Sequence, residues 1–199
     1  ISATVVTVIH TAVTKAMVET GQRLDFIVID GAEGGTGAAP VEFSNHVGMP
    51  MIEGLTFVHN TLRGAGLRDK VKVGAAGKVV SAFDIARALA LGADWCNSAR
   101  GFMFSLGCIQ ALKCNRNTCP TGITTHDPRF QQGLVVEDKY QKVARYAREV
   151  IHEVETIAHS VGVDEPRKMR RRHMRIVQED GSSRPMNEIL PSYSAVAEM

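Results

Sequence analysis

Three short apolar runs, each leading into glycine or a small polar loop, alternate with stretches that repeat at helical spacing. This alternation restricts the fold more than any other feature of the chain. Residues 25–30 read Asp-Phe-Ile-Val-Ile-Asp and run into glycines, the pattern of a strand buried in a parallel sheet. Residues 70–74 and 93–97 give a second and a third such run. Between the first two, Ile52, Leu55, Val58 and Leu62 recur at helical spacing. Between the second and third, Ser81 stands as a cap with Asp84 three residues on. Phe83, Ala86, Leu89 and Ala90 share one face there, and Gly92 stops the helix. Strand–helix–strand–helix–strand makes a parallel sheet with helical crossovers. The residues up to Thr20 and Gly21 read as a helix entering the first strand, although their Thr/Val richness works against it.

After Cys119 the character changes. Residues 139–161 form an amphipathic helix with the stripe Val143, Ala147, Val150, Val154, Ile157 and Val161, closed by Gly162. A basic run over residues 167–175 follows, read as a solvated face or an interdomain contact. The tail over residues 178–199 is polar and reads as loosely ordered. The division expected is residues 1–135 as a strand–helix domain with the cysteine loop and residues 136–199 as a helix with a basic, polar tail.

The 199 residues are 44% hydrophobic and 22% charged, which suits a globular protein able to bury a core. With 23 basic against 21 acidic residues, the net charge of +2 argues against a protein that lives by wrapping nucleic acid. No apolar stretch reaches the roughly 18 residues of a membrane span. The apolar opening lacks a basic flank and a cleavage site, and there is no initiator Met, so the chain reads as cut from something longer. Four cysteines without a secretory signal, three of them clustered, point to reduced thiols in the cytoplasm and a metal.

Four motifs carry chemistry. Gly34, Gly35, Thr36 and Gly37 follow the first strand, where ligands of parallel α/β folds sit, although a tight turn also uses such glycines. The loop after the second strand contains Gly77 and Lys78, and the loop after the third contains Ala99, Arg100 and Gly101. Two successive loops that each join glycine to a cation make a phosphate clamp. The fourth motif is the strongest: Cys108, Cys114 and Cys119, spaced x₅ and x₄ and followed by Pro120. Three thiolates in one loop suit an iron–sulfur cluster, and three fit a three-iron centre with one thiolate per iron. Zinc completed by His126 is the alternative, at wider spacing than structural zinc prefers. Cys96 falls in a strand and reads as a buried apolar thiol, and the methionines as core filler. His59 and His152 lie on helices and read as exposed or hydrogen-bonded rather than as metal ligands.

Residues 25–40, Gly92-Ala-Asp94, and the cysteine loop running into Thr121-Gly-Ile-Thr-Thr-His-Asp-Pro128 resemble the FMN-binding domain of glutamate synthase. The resemblance is firm over residues 16–128. It implies the C-terminal part of an FMN-binding (β/α)₈ TIM barrel, with the three runs as strands six to eight. It further implies reductive amination of 2-oxoglutarate to L-glutamate by reduced FMN, with electrons passed through a 3Fe-4S cluster. The nitrogen would be ammonia or glutamine-derived ammonia, and the electron donor an NAD(P)H-linked subunit or ferredoxin. Carried over by position, Cys108, Cys114 and Cys119 hold the cluster. Gly77, Lys78, Ala99, Arg100 and Gly101 bind the FMN phosphate, and residues 34–37 lie at the active-site mouth. No residue is assigned to catalysis.

The loop Gly74-Ala-Ala-Gly-Lys-Val79 departs from the Asp-Gly-Gln-x-Lys-Thr form of the large multidomain synthases and resembles the shorter stand-alone branch. An N-methylglutamate-synthase-like activity and a non-catalytic electron-transfer fragment are the alternatives. The fragment by itself is expected to lack turnover.

Overall fold

The computed structural model describes residues 3–31, 33 and 48–192, with side chains from residue 8 onward. Helix α1 (Ala3–Thr20) leads to strand β1 (Phe26–Asp30). Helix α2 (Met51–Gly64), strand β2 (Lys72–Ala76), helix α3 (Ala82–Leu91) and strand β3 (Trp95–Asn97) follow, then a short helix α4 (Arg100–Ser105). The strands form a parallel sheet in the order β1-β2-β3, in which Val28 pairs with Gly74 and Gly74 with Trp95.

The strand–helix alternation read from the sequence is therefore observed, with shifted bounds. The second strand starts two residues later than its apolar run, because Val71 N–H closes a turn onto Leu67 O. It then continues through Ala75 and Ala76, whose small side chains carry little apolar signal. Helix α3 matches its capping signals, and Ala86, Leu89 and Ala90 are buried, but Phe83, expected on the same face, is 49% exposed. The Ser81 side chain accepts from Asp84 N–H, the Asp84 carboxylate accepts from Ser81 N–H, and Gly92 ends the helix at φ 116. Helix α4 has no periodic signal in its six residues and is not anticipated.

The sheet has one covered face. Ile29, Val73 and Ala75 pack with Leu55, Val58 and Leu62 of α2 and with Ala86 and Leu89 of α3. On the other face Phe26 is 58% and Val28 41% exposed. Trp95 lies there against Phe26, edge to face at 5.8 Å. Gly74 makes this possible: a Cβ at that position would sit 2.5 Å from the Trp95 ring. Strands β1 and β3 are open edges of the described sheet.

A polar hub fixes β2 against β3. Asp94 N–H donates to Val73 O at 2.7 Å, and Val73 N–H donates to the Asp94 carboxylate at 2.7 Å. Arg68 pairs with that carboxylate at 2.9 Å and also donates to Val71 O, Gly92 O and His59 Nδ1.

The C-terminal third returns to this core. A cysteine-bearing loop and a short helix α5 (Pro128–Gln131) lead into α6 (Val136–Ser160), which starts three residues before the expected start at residue 139. Val154 and Ala158 of α6 are buried in the same core as the strands. The tail is a correction. Residues 178–192 are not loose: β4 (Arg175–Val177) pairs antiparallel with β5 (Ser183–Pro185), and α7 (Met186–Ile189) follows. Met169, Met174 and Met186 drive this, each 4% exposed or less within the common core. The basic run is corrected in part as well. Arg171 is 5% exposed and donates to Leu91 O and Leu190 O, so it staples the tail to α3 instead of facing solvent.

Two outcomes follow for stability. Leu91 is fully buried, so Leu91→Ala should cost about 3 kcal/mol in urea unfolding. Burial, and then the charges of Arg171, Arg68 and Arg63, push His59 down to about 4 against a Gly92 hydrogen bond that raises it. The unfolded chain takes up this proton near its ordinary pKa of about 6.5. The His59 contribution is therefore complete above that pH and is lost as the pH falls towards 4. His59→Gln should flatten the stability profile between those limits.

Candidate functional site

The parallel register decides which loops meet. Ala76 is the partner of Asn97, so the chain leaves β2 at Gly77 and β3 at Ser98 side by side, at the carboxyl ends of neighbouring strands. Gly77 has φ 131 and Lys78 φ 48, a left-handed pair that turns the backbone sharply before α3. Any Cβ at Gly77 would crowd Met51 Cβ and Gly31 N at 3.2 and 3.3 Å. Ser98 Oγ donates to Val79 O at 2.7 Å and so ties one loop to the other. Ala99 is the residue before α4, and Arg100 opens that helix. Lys78 and Arg100 thus belong to two tied, adjacent segments at neighbouring strand ends. Gly34, Gly35, Thr36 and Gly37 lie outside the described residues.

Two further residues position these loops. Tyr146 of α6 donates to Val80 O at 2.6 Å and packs edge to face on Phe102 at 5.1 Å. A Cβ on Gly101 would overlap the Tyr146 hydroxyl, so Gly101 is required by this side chain. Nothing in the sequence pairs Tyr146 with a loop 66 residues earlier. Glu33 accepts from Met51 N–H at 2.9 Å at the start of α2, where Pro50 supplies no side-chain cap.

The cysteine loop starts from Gly107 and carries left-handed residues at Gln110, Leu112 and Asn117. Asn117 is its fastener: its side chain accepts from His126 N–H at 2.6 Å, and its carbonyl accepts from Thr125 Oγ1 at 2.7 Å. Gln131 Nε2 holds Thr125 O from the next helix. Cys108 and Cys114 are half-buried, Cys119 is buried, and all are free thiols. Among the described residues no three His, Cys, Asp or Glu side chains gather to hold one metal ion. His126, the fourth ligand of the zinc alternative, is exposed. In a three-iron cluster each thiolate would meet its own iron.

The donor chemistry fits such a group. Burial alone would raise the Cys119 thiol, but the side chains and backbone N–H groups of Thr121 and Thr124 outweigh it and bring it to about 6. Cys119 Sγ lies 3.4 Å from Thr121 Oγ1. Thr124 Oγ1 is buried with no partner at hydrogen-bond distance among the described residues. These threonines follow Cys119-Pro120 in Thr-Gly-Ile-Thr-Thr and were not singled out from the sequence as sulfur partners. Cys96 is the opposite case. Burial, helped by the Asp84 charge, pushes it up to about 12, so it stays a thiol within β3.

The conserved region in glutamate synthase matches residues 1–164. The chain belongs to the glutamate synthase family. It is 44% identical over 166 residues to the glutamate synthase large subunit-like protein YerD of Bacillus subtilis, covering 83% of this chain and 32% of that protein. It is 33% identical over 162 residues to an archaeal glutamate synthase (NADPH) of Methanocaldococcus jannaschii, covering 81% and 32%. With ferredoxin-dependent glutamate synthase 2 of Synechocystis it shares 38% over 108 residues, 54% of this chain and 7% of that one. The chain therefore spans about a third of the length of the first two relatives. Among the described residues no helix is long and apolar enough to cross a membrane.

The Gly101–Tyr146 contact is directly testable. Gly101→Ala alone should destabilise by about 1–3 kcal/mol through overpacking. Combined with Tyr146→Phe, which removes the overlapping hydroxyl, the cost should be less than the sum by more than about 0.5 kcal/mol in a double-mutant cycle.

Proposed function

We propose that this chain forms part of a glutamate-synthase-type oxidoreductase that reductively aminates 2-oxoglutarate to L-glutamate. The observation that carries the reading is the pairing of the Gly77–Lys78 and Ala99–Gly101 loops at adjacent carboxyl strand ends, in a chain of this family. A sheet with helices on one face and an apolar, exposed face opposite supports a place in a (β/α)₈ barrel, with β1 to β3 as strands six to eight. In a barrel that exposed face turns inward, and Phe26, Val28 and Trp95 become interior packing.

Lys78 and Arg100 would bind the FMN phosphate by charge, and the backbone at Gly77 and Gly101 would let it approach. Cys108, Cys114 and Cys119 would hold a 3Fe-4S cluster, with Thr121 and Thr124 stabilising the Cys119 thiolate. When bound, these groups supply a hydride for the imine of 2-oxoglutarate and a path for the electrons that replace it. The Gly-Gly-Thr-Gly segment at residues 34–37 would border the flavin or the keto acid. Ammonia or glutamine-derived ammonia would be the nitrogen source, and an NAD(P)H-linked subunit or ferredoxin the electron donor, in the cytoplasm.

Two measurements on the full-length protein test this. Arg100→Ala should weaken FMN binding about tenfold or more in a fluorescence titration, because a charge-assisted phosphate bond is worth roughly 1.5–3 kcal/mol. Unchanged affinity would remove Arg100 from the site. Serine at Cys108, Cys114 or Cys119 should abolish iron and sulfide content while FMN binding remains. Cys96→Ser should leave the iron in place, and iron that survives Cys114→Ser but not Cys96→Ser would overturn the ligand set.

A further inference from the structure

The opposite end of the sheet carries a second concave site. A cleft of about 770 Å³ opens at the amino ends of β2 and β3, bounded by α2, the end of α3 and residues 167–172. Seven arginine or lysine side chains line it, against two carboxylates, Asp69 and Asp94. Asp94 is already shared between Arg68 at 2.9 Å and Lys72 at 3.8 Å. Arg167 has an exposed carboxylate, Glu165, at 3.8 Å. Arg63, Arg170, Arg171 and Arg172 have no carboxylate partner among the described residues. Arg171 is the telling case. It is 5% exposed, and its hydrogen bonds run to the carbonyls of Leu91 and Leu190, so among the described residues this buried positive charge meets no counter-charge. Such a charge is unfavourable unless an anion meets it.

We propose that this cleft is an anion site for a multivalent phosphate ligand of nucleotide size, with Arg63, Arg171 and Arg172 supplying the unneutralised charge. The side chains favour phosphate, because guanidinium forks match its oxygens in pairs whereas a lone carboxylate neutralises one. The shape favours a small ligand. The volume lies within the roughly 300–1,000 Å³ of small-molecule pockets, and Asn187 and Ser192 add uncharged hydrogen-bonding groups at the rim. His59 sits in the same wall and is kept neutral by burial and its arginine neighbours, so the positive charge resides on groups that do not titrate near neutrality. The site lies at the strand ends away from Lys78 and Arg100. Its occupancy is therefore independent of the proposed flavin site.

The test is calorimetric titration of the full chain with inorganic triphosphate and with ATP, at about physiological salt to screen loose surface attraction. Saturable one-to-one binding and a raised melting temperature are expected. Arg171→Gln risks the fold, so the diagnostic variant is Arg63→Gln combined with Arg172→Gln. It should lower affinity tenfold or more at unchanged melting temperature of the free chain. Arg184→Gln, outside the cleft and paired with Glu188, should change nothing. ATP binding tighter than triphosphate assigns a nucleotide, and the reverse assigns a free polyphosphate. No saturable binding at millimolar concentration, or equal affinity in the double variant, overturns the proposal. Tighter binding of polyglutamate or of an oligonucleotide than of either phosphate ligand also overturns it.

Discussion

Everything at the carboxyl end of the sheet depends on how Asp94 is held at the other end. Its backbone N–H and its carboxylate both engage Val73, and Arg68 locks the carboxylate from a third direction. With that hub in place, β3 has one register against β2, and Gly74 must face Trp95. A slip of one residue would turn Trp95 onto the helical side, where Val73 and Ala75 leave no room. The same register leaves Gly77 and Ser98 level, so the two candidate phosphate loops owe their adjacency to an ion pair at the far end of the strands. The carboxylate and guanidinium are largely buried, and their remaining hydrogen bonds go to backbone and to His59, which makes such a pair effective as a determinant of geometry.

Much of this organisation was legible in the sequence because the signals are local. Ser81, Asp84 and Gly92 define α3 within a dozen residues, and the structure reproduces each role. The three apolar runs locate the strands, although β1 leaves Phe26 and Val28 exposed in the described sheet where a buried strand was expected. The signal fails where side chains are small, so Ala75 and Ala76 were missed as strand and the six residues of α4 as helix. It fails again where the cause is distant. Arg171 looks like one more residue of a basic run, and only the carbonyls of Leu91 and Leu190 make it an interior residue. The basic run and the tail together hold Met169, Met174 and Met186 over 18 residues, too sparse to announce a packed segment, yet each reaches the common core.

At the cysteine loop the sequence supplied the donors and the structure supplied their setting. Spacing alone identified Cys108, Cys114 and Cys119 and separated them from Cys96. The opposite directions in which Cys119 and Cys96 are pushed give that separation a physical basis: hydrogen bonds from threonines in one case, burial in a strand in the other. The loop keeps its shape through Asn117, which bonds forward to Thr125 and His126, so the cysteines are held in a loop fastened to the segment that follows.

The Tyr146–Val80 hydrogen bond has a consequence for the order of events during synthesis. The ribosome delivers the loops around Gly77 and Arg100 well before Tyr146, and the methionines that complete the core come later still. Until α6 emerges, Gly101 and Val80 lack the side chain that braces them, and the apolar flank of α3 stays open. The strands and crossovers therefore wait in an unfinished state for a segment some tens of residues downstream, in which a chaperone would find the exposed hydrophobic surface it recognises.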